Sequence, residues 1–376
     1  VLVVVGAGPY GIATAAKARE AGIETVVVGR PLAFWTEHMP EGMYLRSGTD
    51  WHLDASGVHT FEAFLEERGI AVAEIDPVPI DVFLSYATWF QREKGVAVNE
   101  QLVTTVTTDG DGRFAVALDD GAVMVADAVV GAPGVRYFEN RPDWSRGLPP
   151  ALCTHTCEFV RFEDLAAARV LIVGGRQSAY EWAALIAEHG AARVDVVHRH
   201  DAPQFDRVSW KFCDAPLEQT LSSPNWWRTL APSEREAIER QFWEAGRLTL
   251  EWWLVPRLAG DVIHVRPQTS VVDVAAEGAT AAHVRLTDGT VLDVDRIVLA
   301  TGYKADLRRV PYLTALADRI DLVEGFPVLD AAMQTTLPGL HLPGFLATRD
   351  FGPFFGFTKG CPAAADLVVN GLLARA

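Results

Sequence analysis

The chain has 376 residues, 49% hydrophobic and 22% charged, with a formal net charge of −16, a length that is long for one domain and comfortable for two. So acidic a surface repels nucleic acid and anionic membranes, neither of which is expected as a partner, and no apolar run approaches the ~18 residues that would mark a membrane span. Four cysteines, Cys153, Cys157, Cys213 and Cys361, contain no C-x-x-C pair, which removes a thioredoxin-like motif and a zinc ribbon; their scarcity and the lack of a signal-peptide pattern predict a cytoplasmic protein.

In chain order, the first feature is an apolar run, Val1-Leu2-Val3-Val4-Val5, opening so abruptly that upstream chain is expected. Gly6-Ala7-Gly8-Pro9-Tyr10-Gly11 follows, then an alanine-rich helix over residues 12–21 closed by Gly22, and a second strand over 25–28. This is a βαβ unit with its glycine-rich turn in place. Gly6 permits the tight turn, Gly8 lets a pyrophosphate approach the backbone, and Gly11 lets helix and strand pack closely. The helix N-terminus then offers free N–H groups and partial positive charge to phosphate. Beyond lie Gly29-Arg30, Phe34-Trp35, His38 and Gly42-Met43-Tyr44-Leu45-Arg46-Ser47. Residues 114–118, Asp120-Gly121 and 123–125 then read as a hairpin feeding a strand over 127–134 that ends in Ala132-Pro133-Gly134.

Cys153 and Cys157 follow, spaced to meet on one helix. At residues 170–173 the opening layout returns: a strand, the turn Gly174-Gly175-Arg176-Gln177-Ser178-Ala179, a helix ending near Gly190, and a strand over 194–197. The offset is 174 − 6 = 168, and 190 − 22 = 168. The hairpin returns too, with Asp288-Gly289 and a strand ending in Ala300-Thr301-Gly302-Tyr303; 289 − 121 and 302 − 134 are again 168. Four landmarks at one offset predict an internal duplication.

The second unit departs from the first at two positions. Arg176 replaces the middle glycine, where its guanidinium can contact phosphate, and Ala179 replaces the third. Neither unit has the acid expected on a ribose at the end of its second strand. The second has His198-Arg199-His200 instead, a local basic spot suited to the 2′-phosphate of NADP. Residues 201–258 hold six of the eleven tryptophans and read as a helical insertion, with a capped helix start at Pro232-Ser233-Glu234. It is expected to roof a pocket, to make a homodimer contact, or simply to pack. The chain closes with Arg349-Asp350-Phe351-Gly352-Pro353-Phe354-Phe355-Gly356, Lys359 and an alanine-rich helix; a surface loop so aromatic needs something to cover.

The turns at Gly6–Gly11 and 174–179, with Ala300-Thr301-Gly302-Tyr303, resemble those of two-dinucleotide-binding-domain flavoproteins, above all the flavin-containing, Baeyer–Villiger and N-hydroxylating monooxygenases. The resemblance spans nearly the whole chain. It implies an α/β fold of two Rossmann-like domains, the second inserted into the first: an FAD domain over 1–158 and 297–376, and an NADPH domain over 159–296 carrying the helical insertion. It implies FAD on Gly6, Gly8, Pro9, Tyr10, Gly11, Arg30, Trp35, Arg46, Ser47, Ala132 and Gly134, with Thr301, Gly302, Tyr303, Asp350, Phe354 and Phe355 also around the cofactors. NADPH falls to Gly174, Gly175, Arg176, Gln177, Ser178, His198 and Arg199. The monooxygenase fingerprint F-x-G-x-x-x-H-x-x-x-(W/Y/F) is half present: His155 and Phe159 fit, while Pro149 and Ala151 replace its Phe and Gly.

The activity implied is an NADPH-consuming flavin monooxygenase that captures O2 as a C4a-peroxide and oxygenates a small amine, sulfide or ketone. A flavin reductase passing electrons to another acceptor, and a non-catalytic nucleotide-binding protein, are the alternatives. No side chain is identified as a catalytic base, and no metal-ligand spacing is found.

Overall fold

The computed structural model describes residues 1–375. In the first half, β1 (Leu2–Val5) leads through the glycine turn into α1 (Pro9–Glu20) and β2 (Thr25–Val28). A crossover containing α2 (Phe61–Glu67) and α3 (Ile80–Glu93) reaches β3 (Val98–Asn99). An antiparallel hairpin layer follows, β4 (Val103–Thr108), β5 (Phe114–Leu118) and β6 (Val123–Ala126), then β7 (Ala128–Gly131). Next comes β8 (Cys153–His155). The second half repeats the order as β9 (Arg169–Val173), α4 (Gln177–Glu188), β10 (Arg193–Val197), a crossover with α5 (Asp214–Ser222) and α6 (Pro232–Trp243), and β11 (Ile263–Arg266). Its hairpin layer is β12 (Val271–Ala276), β13 (Ala282–Leu286) and β14 (Val291–Val294), followed by β15 (Arg296–Leu299). The chain ends with β16 (Leu340–His341) and α7 (Cys361–Leu373).

Two parallel five-stranded sheets result, ordered β16-β7-β1-β2-β3 and β8-β15-β9-β10-β11. The offset of 168 holds residue by residue: α1 and α4 differ by 177 − 9 = 168, β5 and β13 by 282 − 114 = 168, β7 and β15 by 296 − 128 = 168. Pairing register is copied as well, since Leu2 faces Ala128 and Val170 faces Arg296. The central strands are buried on both faces, as parallel strands flanked by helices must be, and their Val, Leu and Ile side chains form the middle of each core.

The second domain is nested in the first, because β16, late in the chain, returns to the first sheet. Two expectations are corrected. The domain limits 158/159 and 296/297 cut through the second domain: β8 pairs with β15 and β15 pairs with β9, so residues 153–155 and 296–299 both belong to the second sheet. Cys153 therefore lies on a strand and not on a helix with Cys157, and all four cysteines are free and buried.

The tryptophan-rich stretch 201–258 does carry α5 and α6, with α6 starting at Pro232 as its capping pattern predicts. It fills the β10–β11 crossover, the place that α2 and α3 fill in the first half. Its buried aromatic side chains pack within the same chain, while Trp243 and Trp252 are exposed. Trp210, Trp227 and Phe242 join the first domain's core, with Trp227 edge-on to Phe354 at 5.8 Å and Phe242 against Phe357 at 5.4 Å. The crossover of one domain thus bolts onto the other, burying aromatic surface that either domain alone would expose.

Candidate functional site

Both glycine turns open on one cavity of about 1220 Å³ between the domains, larger than the roughly 300–1,000 Å³ of a usual single-ligand pocket. In the first turn Gly6 has φ 109°, and a Cβ there would sit 2.4 Å from the Ala132 carbonyl. In the second, Gly174 has φ 147°, and a Cβ would sit 2.3 Å from the Ala300 carbonyl, which is again 168 residues on (300 − 132). The fold needs glycine at both points because the strand end β7 or β15 crosses directly over the turn. A Cβ at Gly11 would meet the Gly6 carbonyl at 1.8 Å, whereas the wider second turn accepts Ala179. Gly175 is required by a different neighbour: a Cβ there would strike His198 Cγ at 2.3 Å.

These turns fit phosphates. A Cβ at Gly8 would meet nothing within 4 Å, so the space in front of the turn is open. Neither α1 nor α4 has a side-chain N-cap or an acidic residue in its first turn. Their leading N–H groups are therefore free to meet an anion, with the helix dipole adding attraction. Gly6, Gly8, Pro9, Tyr10, Gly11, Arg30, Trp35, Ser47, Ala132 and Gly134 line the cavity on one side; Gly174, Gly175, Arg176, Gln177, Ser178, His198 and Arg199 line the other; Thr301, Gly302 and Tyr303 lie between them.

Several of these residues are not what the sequence led one to expect. Arg46 reaches the cavity, but its guanidinium is committed inward: it donates to Glu251 Oε1 at 2.9 Å, to the Thr249 carbonyl at 2.9 Å and to the Gly246 carbonyl. It pins the segment after α6 rather than offering its donors to a cofactor. Arg30 is paired with Glu37 at 2.7 Å. His198 is not a cation. Its Nδ1–H donates to the His200 carbonyl at 3.0 Å and its Nε2 accepts from the Tyr180 hydroxyl at 2.9 Å. Burial, then the neighbouring His200, lowers its pKa. That leaves Arg199, exposed and without an ion pair among the described residues, as the charge of the basic spot.

Asp350, Phe354 and Phe355 are corrected outright: all three are buried and off the cavity wall. Asp350 accepts from the Leu329 N–H at 2.8 Å and pairs with Arg349 at 2.6 Å. Phe354 packs on Trp227 and Phe355 on Phe351. The wall of that loop is made instead by Pro353, Gly356, Phe357 and Thr358. Tyr10 ties it to the first turn, its hydroxyl lying 2.6 Å and 2.7 Å from the Phe355 and Phe357 carbonyls.

His155 is a strut. Its Nδ1 accepts from the Cys157 N–H at 3.2 Å, leaving the proton on Nε2 to donate to the Gly302 carbonyl at 3.1 Å. Burial and Arg141 push its pKa down to about 4, so the ring is neutral and holds the Gly302 turn in place. Among the wall residues that the sequence reading did not assign to the site are Trp51, Arg247 and Phe357, and Trp210 comes from the insertion expected to roof a pocket. No local motif marks them, because the crossovers bring them together.

The family described as pyridine nucleotide-disulphide oxidoreductase matches residues 3–212, more than half of the chain. Among curated relatives, indole-3-pyruvate monooxygenase YUCCA1 of Oryza sativa subsp. japonica is 27% identical over 333 residues, covering 81% of this chain and 77% of its own. A ferredoxin–NADP reductase of Sulfurisphaera tokodaii is 26% identical over 193 residues, 51% of this chain; the chain spans 44% of that protein's length. Among solved structures, the ornithine N-hydroxylase of Kutzneria sp. 744, with reduced FAD, NADP+ and L-ornithine, superposes with a TM-score of 0.82 at 17% identity, covering 100% of this chain and 99% of that one. The likeness in fold extends over both domains and the crossover between them. The chain belongs to the pyridine nucleotide-disulphide oxidoreductase family, and it is an oxidoreductase built on two nested dinucleotide-binding folds.

Proposed function

We propose that the protein is an FAD-dependent, NADPH-consuming monooxygenase, with FAD on the first glycine turn and NADPH on the second. The observation that supports this reading is the shared cavity into which both uncapped helix N-termini open, which has room for two phosphate-bearing cofactors. The monooxygenase names among the relatives favour oxygenation over other flavin chemistry. In balance, NADPH, a proton, O2 and substrate give NADP+, water and the substrate carrying one oxygen atom.

Bound flavin supplies the chemistry of hydride acceptance and of passing electrons to O2, by the oxygen-transfer route set out above. The chain's residues do the rest. Gly6, Gly8 and the α1 N-terminus hold one pyrophosphate; Gly174, Arg176 and the α4 N-terminus hold the other; Arg199 receives the 2′-phosphate. Trp51, Trp210 and Phe357 exclude water from the space between. His155 positions the Gly302 turn through its Nε2–H and, being neutral, is not assigned as a catalytic acid. The substrate is a small organic nucleophile, an amine or sulfide, or a ketone. The chain has no C-x-x-C pair, and its four cysteines are free and buried.

The test is spectroscopic. Purified protein reconstituted with FAD is yellow, NADPH bleaches it, and mixing the reduced protein with O2 gives a transient absorbance before the oxidised spectrum returns; labelled O2 leaves one labelled atom in the product. A colourless protein that takes up no FAD overturns the reading. A second reading, an NADPH-dependent flavin reductase, is favoured by the ferredoxin–NADP reductase likeness and by the structural use of His155. Return of the oxidised spectrum without a transient, with electrons delivered to an added acceptor, decides for it.

A further inference from the structure

The cavity wall has a charge opposite to that of the protein. The chain carries −16 overall, yet the wall holds Arg30, Arg46, Arg136, Arg176, Arg199 and Arg247 against one acidic residue, Glu181. Arg30 and Arg46 are neutralised by Glu37 and Glu251. Glu181 is buried and fully engaged, accepting from the Tyr44 N–H at 3.2 Å, from Gln177 Nε2 at 2.9 Å and from Arg257 at 3.2 Å. No carboxylate is left on the wall to receive an ammonium group.

Among the unpaired wall cations, Arg247 is the one carried by the crossover after α6. It follows Gly246, whose carbonyl Arg46 holds and whose Cα is pressed on Trp210, a Cβ there meeting that ring at 2.5 Å. Trp210 packs at 5.9 Å on Phe357 and at 5.7 Å on Trp51, and the Phe357 carbonyl is held by Tyr10 of the first turn. On its other side Arg247 shares Trp243 with Arg176 of the second turn, at 5.9 Å and 3.8 Å. The guanidinium thus lines the cavity beside Trp243 and Arg176, on a backbone segment pressed against Trp210, with no hydrogen bond or ion pair among the described residues. A half-buried cation without a partner is costly unless a ligand supplies one. Its pKa is lowered by burial and by Arg46, with no nearby acid to offset them.

We propose that the substrate is an organic acid, its carboxylate paired with Arg247 and its apolar body laid against Trp51, Trp210 and Phe357. This rests on the monooxygenase reading only for the word substrate; the anion subsite stands on geometry. It narrows the substrate class, setting aside simple amines because the wall offers them no counter-charge. The ligand's oxyanion has two sources, a substrate carboxylate or a nucleotide phosphate, and the proposal commits to the first.

The test is isothermal calorimetry on the full chain with FAD and without NADPH, using 3-phenylpropionate, 3-phenylpropylamine and 3-phenylpropanol as probes. The acid is expected to bind at least about tenfold more tightly than the amine or the alcohol, and Arg247→Gln to weaken the acid about tenfold or more, the range for a lost charge-assisted pair. Arg247→Lys, which keeps the charge without the planar fork, is expected to lose less. NADP+ is titrated into the same variants and is expected to change less than the acid. Equal binding of acid and amine by the native chain overturns the proposal without any variant. So does an Arg247→Gln protein that binds the acid as before, or one that loses NADP+ more than the acid. Heat of binding does not depend on flavin turnover, so failure of the monooxygenase reading, seen as absent bleaching or absent oxygen transfer, is a separate result.

Discussion

Gly8 and Arg176 hold the same place in the two halves of the molecule, 176 − 8 = 168, and nearly the same backbone: φ −84°, ψ −177° and φ −115°, ψ −175°. Both are extended and open to L side chains, so glycine at position 8 is chosen for the room it leaves a ligand. At 176 that room is taken by a guanidinium stacked 3.8 Å over Trp243, with its pKa lowered to about 10 by burial and Arg247.

Arg176→Gly therefore relieves no strain and removes a phosphate partner. The dissociation constant for NADPH is expected to rise about tenfold, the worth of one charge-assisted hydrogen bond, with a shallower salt dependence. Fluorescence titration at two ionic strengths measures both. Tighter binding by the glycine variant would show that the arginine obstructs the turn.

In the proposed reading, the duplicated glycines serve two different cofactors. Gly6→Ala and Gly174→Ala each force a methyl to within 2.5 Å of a backbone carbonyl at positive φ, and each is expected to destabilise by about 2 kcal/mol or more. Gly6→Ala is expected to give protein depleted of flavin. Gly174→Ala should stay yellow and bleach slowly with NADPH. Flavin content and stopped-flow reduction distinguish the two, and identical phenotypes would refute separate seats.

In the proposed reading, Arg199 sets the choice of nucleotide. Arg199→Ala is expected to raise the NADPH dissociation constant about tenfold or more and to leave NADH within about twofold, since only NADPH carries the 2′-phosphate. Flavin reduction rates against both nucleotides check this; equal losses would move Arg199 away from that phosphate.

His155 gives the fold a pH limit. Its folded-state pKa is about 4, below the roughly 6.5 of an unfolded histidine, so the unfolded chain takes up the proton first. Stability is then full above about pH 6.5 and falls as the pH drops toward 4, by up to roughly 3 kcal/mol from this residue. Urea unfolding midpoints across that window should slope less steeply in His155→Gln, which keeps a donor for the Gly302 carbonyl and cannot titrate. His38, His52, His198 and His341, also lowered by burial, contribute to the slope that remains.

The glycine spacing and the alternation of strand and helix are local properties, readable because a tight turn before a helix constrains its own few residues. From them the sequence by itself determined two dinucleotide folds at one offset, and many of the residues that line the cavity between them. Tertiary structure decided the rest. Whether Arg46 and His198 carry usable charge depends on Glu251, Thr249 and Tyr180, far away in the chain. That Phe357 and not Phe354 faces the cavity depends on Trp227, which covers Phe354 from the crossover. Arg247 and the tryptophans beside it have no motif, since only the packing of one domain's crossover on the other domain's core brings them to the space between the cofactor seats. Long-range packing and desolvation set those environments, and neither is written in any short window of sequence.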